Sequence, residues 1–234
     1  MRRILFLGII LAACLSAYAQ DSTKSWSDWS KKDAEKVLND SAWGQTYTER
    51  PAERTSGAIT GVGSVGASES GEGKSQKPVH YRGRFLSAKP IREGFARIVT
   101  LLQPNASAEL KGQLQGFVDR DFGDYLVVAF AIESEDEARA KASMMMMSRL
   151  TTDILKDKVY LERKDGKRAT LLDYKAPTSD GMGAKFIFSR TLDGAKFLSD
   201  PEDTAKFFLG MNERMKVTLK FKVSGMTYGG KLEY

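Results

Sequence analysis

Cysteine and histidine are almost missing from this chain of 234 residues: each occurs once, as Cys14 and His80. A lone cysteine cannot close an internal disulfide. Its place near the start leaves the rest of the chain with no thiol nucleophile and no thiolate metal site. A single histidine excludes a multi-histidine metal centre, and a Ser-His-Asp arrangement would have to use His80. Neither a G-x-S-x-G elbow nor H-E-x-x-H occurs, which removes the usual signatures of a serine hydrolase and a zinc peptidase. Long apolar runs are scarce as well. The run from Ile4 to Leu15 is shorter than the roughly 20 residues that span a bilayer, so no transmembrane anchor is expected. The 36 basic and 30 acidic residues give +6, spread along the chain. Nucleic-acid binding, which gathers cations on one face or groove, gains no support from that pattern.

What is present begins with an export signal. Arg2 and Arg3 precede the apolar run, and Ala17, Tyr18 and Ala19 form an A-x-A site before Gln20, so residues 1–19 read as a secretory signal peptide and the protein as periplasmic or secreted. Leu11, Ala12, Ala13 and Cys14 also resemble a bacterial lipobox, in which Cys14 would carry a lipid anchor. Cleavage after Ala19 removes Arg2 and Arg3 and lowers the net charge from +6 to +4. Residues 50–77 read as a flexible Gly/Ser-rich linker. Gly61, Gly63 and Gly66 spell G-x-G-x-x-G, and Gly73, Lys74 and Ser75 end like a P-loop. A Gly-rich turn binds phosphate only between a buried strand and a helix N-terminus. Here Pro51 and Gly57 precede it, Pro78 follows, and Ser68 stands where a P-loop has its first glycine. No nucleotide and no other cofactor is expected.

Residues 20–49 carry all three tryptophans, Trp26, Trp29 and Trp43, around a short helix. Ser30 and Asp33 have capping-box spacing, and Ala34, Val37 and Leu38 make one apolar stripe. The W-x-x-W, the acidic-Ala pair and the terminal Ser-x-Trp resemble the N-terminal region of uncharacterised exported bacterial proteins. The resemblance covers about 20 residues and implies export without implying an activity. The tryptophans could contact a partner, or staple the helix to the main domain through their rings.

Residues 78–234 read as a single α+β domain. Val79 to Leu86 alternates as a strand. A helix with Pro90 near its start and another from about Ala106 to Phe122 follow, and Tyr125 to Ile132 is apolar on both faces, as a doubly covered strand is. Ser134 and Glu137 suggest a capping box for a long helix to about Lys156. Within it Met144 to Met147 fan around the axis rather than converging on a soft metal ion, so Met144 and Met147 are expected in a core stripe with Ala140, Thr151 and Ile154. Asp165-Gly166 signals a two-residue type I′ hairpin between Val159–Lys164 and Lys167–Tyr174. Lys185 to Arg190 reads as a strand, Asp200-Pro201 as the start of a short helix to about Phe208, and Met215 to Val223 as a strand with lysines outward. Tyr228 to Tyr234 completes the set as an edge strand. The expected fold is a mainly antiparallel sheet of about five or six strands with helices on one face; a mixed or parallel α/β fold is the alternative.

For chemistry, His80, Arg82 and Arg84 project to one side of the first strand, where they could hold a carboxylate, phosphate or sulfate. The same residues could equally face water or pair with acids on an adjoining strand. The functional expectation is an exported, non-enzymatic protein that binds an envelope component, a small ligand or a protein. The alternative is a small hydrolase built on His80 or on a pair of carboxylates.

Overall fold

The computed structural model of the protein describes residues 24–50, 77–212 and 215–234. The expected signal sequence with Cys14, and the Gly-rich segment from Gly61 to Ser75, lie outside the described residues.

Ser30 opens α1 (Lys31–Asn39) with the expected reciprocal cap: its hydroxyl accepts from the Asp33 N–H, and Asp33 Oδ2 accepts from the Ser30 N–H. The stripe of Ala34, Val37 and Leu38 is buried. The chain then enters β1 (Gly44–Glu49) and, further on, β2 (Val79–Phe85). Next come α2 (Lys89–Leu102), with Pro90 in its first turn, α3 (Ala108–Val118), β3 (Tyr125–Ser134), α4 (Glu137–Ser148) and α5 (Thr152–Leu155). The rest is strands: β4 (Val159–Arg163), β5 (Arg168–Lys175), β6 (Ala184–Ser189), the ribbon β7 (Thr191–Leu192) and β8 (Ala195–Lys196), then β9 (Thr204–Asn212), β10 (Met215–Lys222) and the ribbon β11 (Thr227–Tyr228) and β12 (Lys231–Leu232).

The main sheet has eight strands in the order β1-β2-β3-β6-β5-β4-β9-β10, and every pairing among the described residues is antiparallel. Its two end strands, β1 and β10, come back against each other, so the sheet curls into a nearly closed barrel. Eight strands leave an interior just wide enough for side chains to fill. Phenylalanines fill it: Phe85, Phe130, Phe186, Phe188, Phe207 and Phe221 are fully buried. Phe207 packs on Phe130 and Phe186 with ring centroids 5.6 and 5.2 Å apart, and Phe85 meets Phe221 at 4.8 Å. Leu219 of β10 reaches over the backbone of Gly83 of β2, at the seam.

Helices lie on the outside, α1 over β1 and β2 with α2 packed on α1, α4 along β3 and α5 on β5. Leu126 to Phe130 is therefore buried on both faces, as its unbroken apolar sequence requires. Trp29 and Trp43 join the same core, and Trp43 Nε1 donates to the Glu233 carbonyl 2.6 Å away, which ties the end of the chain beneath the barrel. No helix among the described residues is long and apolar enough to cross a membrane.

Several expectations need correction. The sheet has eight strands rather than five or six, because β1 and β9 form where a helical segment and a short helix were expected. In residues 204–209 Ala205, Phe207 and Leu209 point inward with period two, and Asp200-Pro201 makes only a turn, with the Asp203 N–H donating to the Asp200 carbonyl. The long helix is two helices. Asp136, not Ser134, caps α4 by accepting from the Arg139 N–H, while Ser134 donates to the Pro78 carbonyl. Met147 is 3% exposed, but Met144, on the same helix, is 51% exposed, and the break after Ser148 takes Ile154 out of line with them, at 44% exposed. At Asp165-Gly166 only Gly166 has a positive φ, and its N–H donates to the Arg163 carbonyl. That makes a three-residue loop with a glycine bulge, not a type I′ turn. Positive φ at both central residues occurs instead at Asp193-Gly194, between β7 and β8, and at Gly229-Gly230, between β11 and β12.

Candidate functional site

Strand alternation sends His80, Arg82 and Arg84 to the outer face of the barrel. On one side they adjoin Thr48, Thr46 and Gly44 of β1, and on the other Glu133, Ala131 and Ala129 of β3. The two alanines leave room beside the arginines, and Glu133 supplies the charge. Arg82 Nη1 lies 2.9 Å from Glu133 Oε2, and Arg84 Nη2 lies 3.8 Å from Glu133 Oε1. Two guanidiniums therefore share one carboxylate, which leaves this face one positive charge in excess before His80 is counted.

The three residues share a face but not a role. Arg84 is buried with its side chain only 4% exposed. Its Nε donates to the Leu38 carbonyl at 2.9 Å, its Nη2 donates to Asn39 Oδ1 at 2.7 Å, and its guanidinium lies 5.3 Å from the centre of the Phe95 ring. It thus caps the C-terminus of α1, where carbonyls point outward and a cation is favoured. Burial lowers its pKa to about 10, against the pull of Glu133, so it stays charged at neutral pH. Arg82 is 26% exposed, and its Nε is buried without a hydrogen-bond partner. His80 Nδ1 lies 2.9 Å from Thr48 Oγ1.

A hydroxyl beside an imidazole is the beginning of a nucleophile and base pair. Among the described residues no carboxylate is hydrogen-bonded to His80 to orient the ring, and both Glu133 oxygens face arginines. Sequence reasoning missed Thr48 and Glu133. Each reaches the site across a strand pairing, and the only local signal is the polar alternation of Thr46 and Thr48.

Two other polar clusters were also missed. Arg92 and Glu93 of α2 are buried. Arg92 Nε donates to the Val118 carbonyl at 2.9 Å, its Nη1 donates to the carbonyls of Leu86 and Ser87, and its guanidinium lies 5.3 Å from the centre of the Phe122 ring. Glu93 Oε2 accepts from the Tyr228 hydroxyl at 2.7 Å, and burial raises its pKa despite that bond and nearby Lys89 and Arg92. These groups tie α2 to α3 and to the C-terminal ribbon. The second cluster lines a surface hollow of about 500 Å³ between the β4–β5 turn and residues 199–203. There Arg163 is paired with Asp165 and, at 3.5 Å, with Asp203. No group of three or more metal-ligating side chains occurs among the described residues.

Trp29 and Trp43 are buried in the core, which leaves Trp26 as the ring of the three with exposed surface. No family model, no curated protein and no solved structure matches the chain.

Proposed function

We propose that the chain is an exported, non-catalytic binding protein that engages an anionic envelope component on the outside of its barrel. The observation that carries this reading is the packed interior. Six buried phenylalanine rings occupy the space where an eight-stranded barrel would otherwise hold a small ligand, so recognition falls to the outer surface. The face of β1, β2 and β3 supports an anion there: Arg82 is partly exposed, and Glu133 neutralises only one of the two guanidiniums. A carboxylate, phosphate or sulfate could meet the exposed part of the Arg82 side chain. His80 stands two residues along the same face, and Arg84 contributes its charge from behind.

On this reading the protein is periplasmic or secreted and begins at Gln20, with lipid attachment at Cys14 as the alternative. Intact mass of the exported protein separates the two. The binding test is Arg82→Glu. It should abolish a salt-sensitive interaction with anionic envelope extract while the protein stays folded. If neither binding nor stability changes by more than about 0.5 kcal/mol, the face is merely solvated and the site is withdrawn. The Thr48–His80 contact favours the hydrolase as a second reading. It requires ester turnover that disappears in both Thr48→Ala and His80→Gln.

A further inference from the structure

Helices cover β1 to β3, but the outward side chains of β4, β9 and β10 are exposed or half-exposed. The register of the four strands from β5 to β10 aligns Lys220, Lys206, Glu162 and Arg168 in one row. The adjoining row holds Thr218, Phe208, Tyr160 and Thr170. Lys216 and Lys222 extend the basic column along β10. Arg168, Lys206, Lys220 and Lys222 thus gather about the carboxylate of Glu162, in a chain whose charge looks evenly dispersed when read in one dimension. Glu162 is already engaged, 2.7 Å from Arg168 Nη2 and 3.3 Å from Lys206 Nζ. Among the described residues neither Lys220 nor Lys222 is in an ion pair.

We infer that this face is a second binding surface, separate from the one on β1 to β3, and that it takes a linear anionic polysaccharide. The cations are spread rather than convergent. Neighbours stand about 5 Å apart across strands and about 7 Å apart along β10, an arrangement that suits a polymer with repeated charges better than one small anion. Both faces of the Tyr160 ring and one face of Phe208 are consumed within the surface. Tyr160 stacks on Phe208 with centroids 4.8 Å apart and planes inclined by 19°, and the Arg168 guanidinium lies 4.0 Å from the centre of the Tyr160 ring. Nucleic-acid bases bind such surfaces by stacking on a series of free ring faces, and in this stack Tyr160 offers none. A lipid surface needs apolar side chains to insert beside the charges. The exposed large apolar residues lie mostly elsewhere, as with Leu101 and Leu102 on α2 and Met144 and Met145 on α4; on these four strands only Leu172 is so exposed. What the face offers outward is ammonium groups and hydroxyls, those of Tyr160, Thr170 and Thr218. Carboxylates, sulfates or phosphates on sugars meet the first, and sugar hydroxyls meet the second.

The test measures binding of the full mature chain to polygalacturonate and dextran sulfate at several salt concentrations. Neutral dextran, single-stranded poly(dT) and phosphatidylglycerol vesicles serve as comparison probes. The wild type should bind both anionic glycans, more weakly as salt rises, and should bind neutral dextran not at all. The triple variant Lys206→Gln, Lys220→Gln, Lys222→Gln should lose about tenfold or more in affinity with its melting temperature unchanged, whereas Arg82→Gln should bind glycan like the wild type. A second pair, Tyr160→Phe and Thr218→Ala, should weaken glycan binding and leave any poly(dT) binding alone, which bulk charge would not do. The inference is overturned by equal glycan binding in the triple variant, by tighter binding to poly(dT) or vesicles, or by indifference to the hydroxyl variants. Loss of binding in Arg82→Gln alone would overturn it too, while leaving the β1 to β3 site standing.

Discussion

Closure of the barrel brings Leu219 of β10 over Gly83 of β2, and replacing Gly83 with alanine tests that approach. A Cβ at Gly83 would sit 2.4 Å from Leu219 Cδ1 and 3.6 Å from Phe221 Cζ. Real side chains do not approach that closely, so Leu219 must move. It is 3% exposed and packed in the core, with little room to do so. Overpacking of this kind costs about 1 to 3 kcal/mol. The backbone at Gly83 is not in the left-handed region, so alanine brings no conformational strain there. Leu219→Ala alone should cost about 2 to 5 kcal/mol through its cavity. In that background Gly83→Ala fills part of the space and restricts the unfolded chain, which is worth about 0.4 to 1 kcal/mol. Its cost should therefore vanish or reverse. Urea unfolding followed by fluorescence of buried Trp29 and Trp43 reads all four corners of the cycle. If Gly83→Ala costs the same in both backgrounds to within about 0.5 kcal/mol, Leu219 of β10 does not lie over β2 as described.

Met147→Ala should destabilise by about 2 to 5 kcal/mol because its side chain is in the core, whereas Met144→Ala should change stability by less than about 0.5 kcal/mol; equal costs in denaturant unfolding would mean that α4 is rotated. Glu93 is buried with a pKa raised above the usual carboxylate value, so its folded form holds a proton more firmly than its unfolded form. Its favourable contribution is fully present below about pH 4.3 and is lost as pH rises through the folded value. Glu93→Gln can still accept from Tyr228 without a charge, so it should gain stability relative to wild type as pH rises from 4 to 7. A constant difference across that range in urea melts would refute the assignment.

Much of the local structure was legible in the sequence. The capping box at Ser30 and Asp33, the stripe of Ala34, Val37 and Leu38, the doubly buried β3 and the clean alternation of β10 all appear as expected. Each depends on residues two to four positions apart, whose spacing the helix or the pleat fixes. The mainly antiparallel α+β class followed from the same periodicities. Of the candidate site, the shared outward face of His80, Arg82 and Arg84 was legible for the same reason.

Tertiary structure decided the remainder. The chain holds three Asp-Gly dipeptides, at 165–166, 180–181 and 193–194, yet only Asp193-Gly194 has a positive φ at both residues, as a type I′ turn requires. At the first, Arg163 binds the Asp165 carboxylate, which also accepts from the Lys167 N–H, and the longer loop wins. β9 is a strand because β4 and β10 pair with it on both sides. Arg84 became a buried strut because the end of α1, some 45 residues earlier, supplies its acceptors, and Arg82 met Glu133 only through the pairing of β2 with β3. The gathering of lysines on one wall followed from strand register in the same way. Side-chain periodicity is set by a residue's near neighbours and can be read along the chain. Pairing, register and charge convergence are set by burial of the whole sheet, which brings distant residues within a few ångströms and gives each local ambiguity its single outcome.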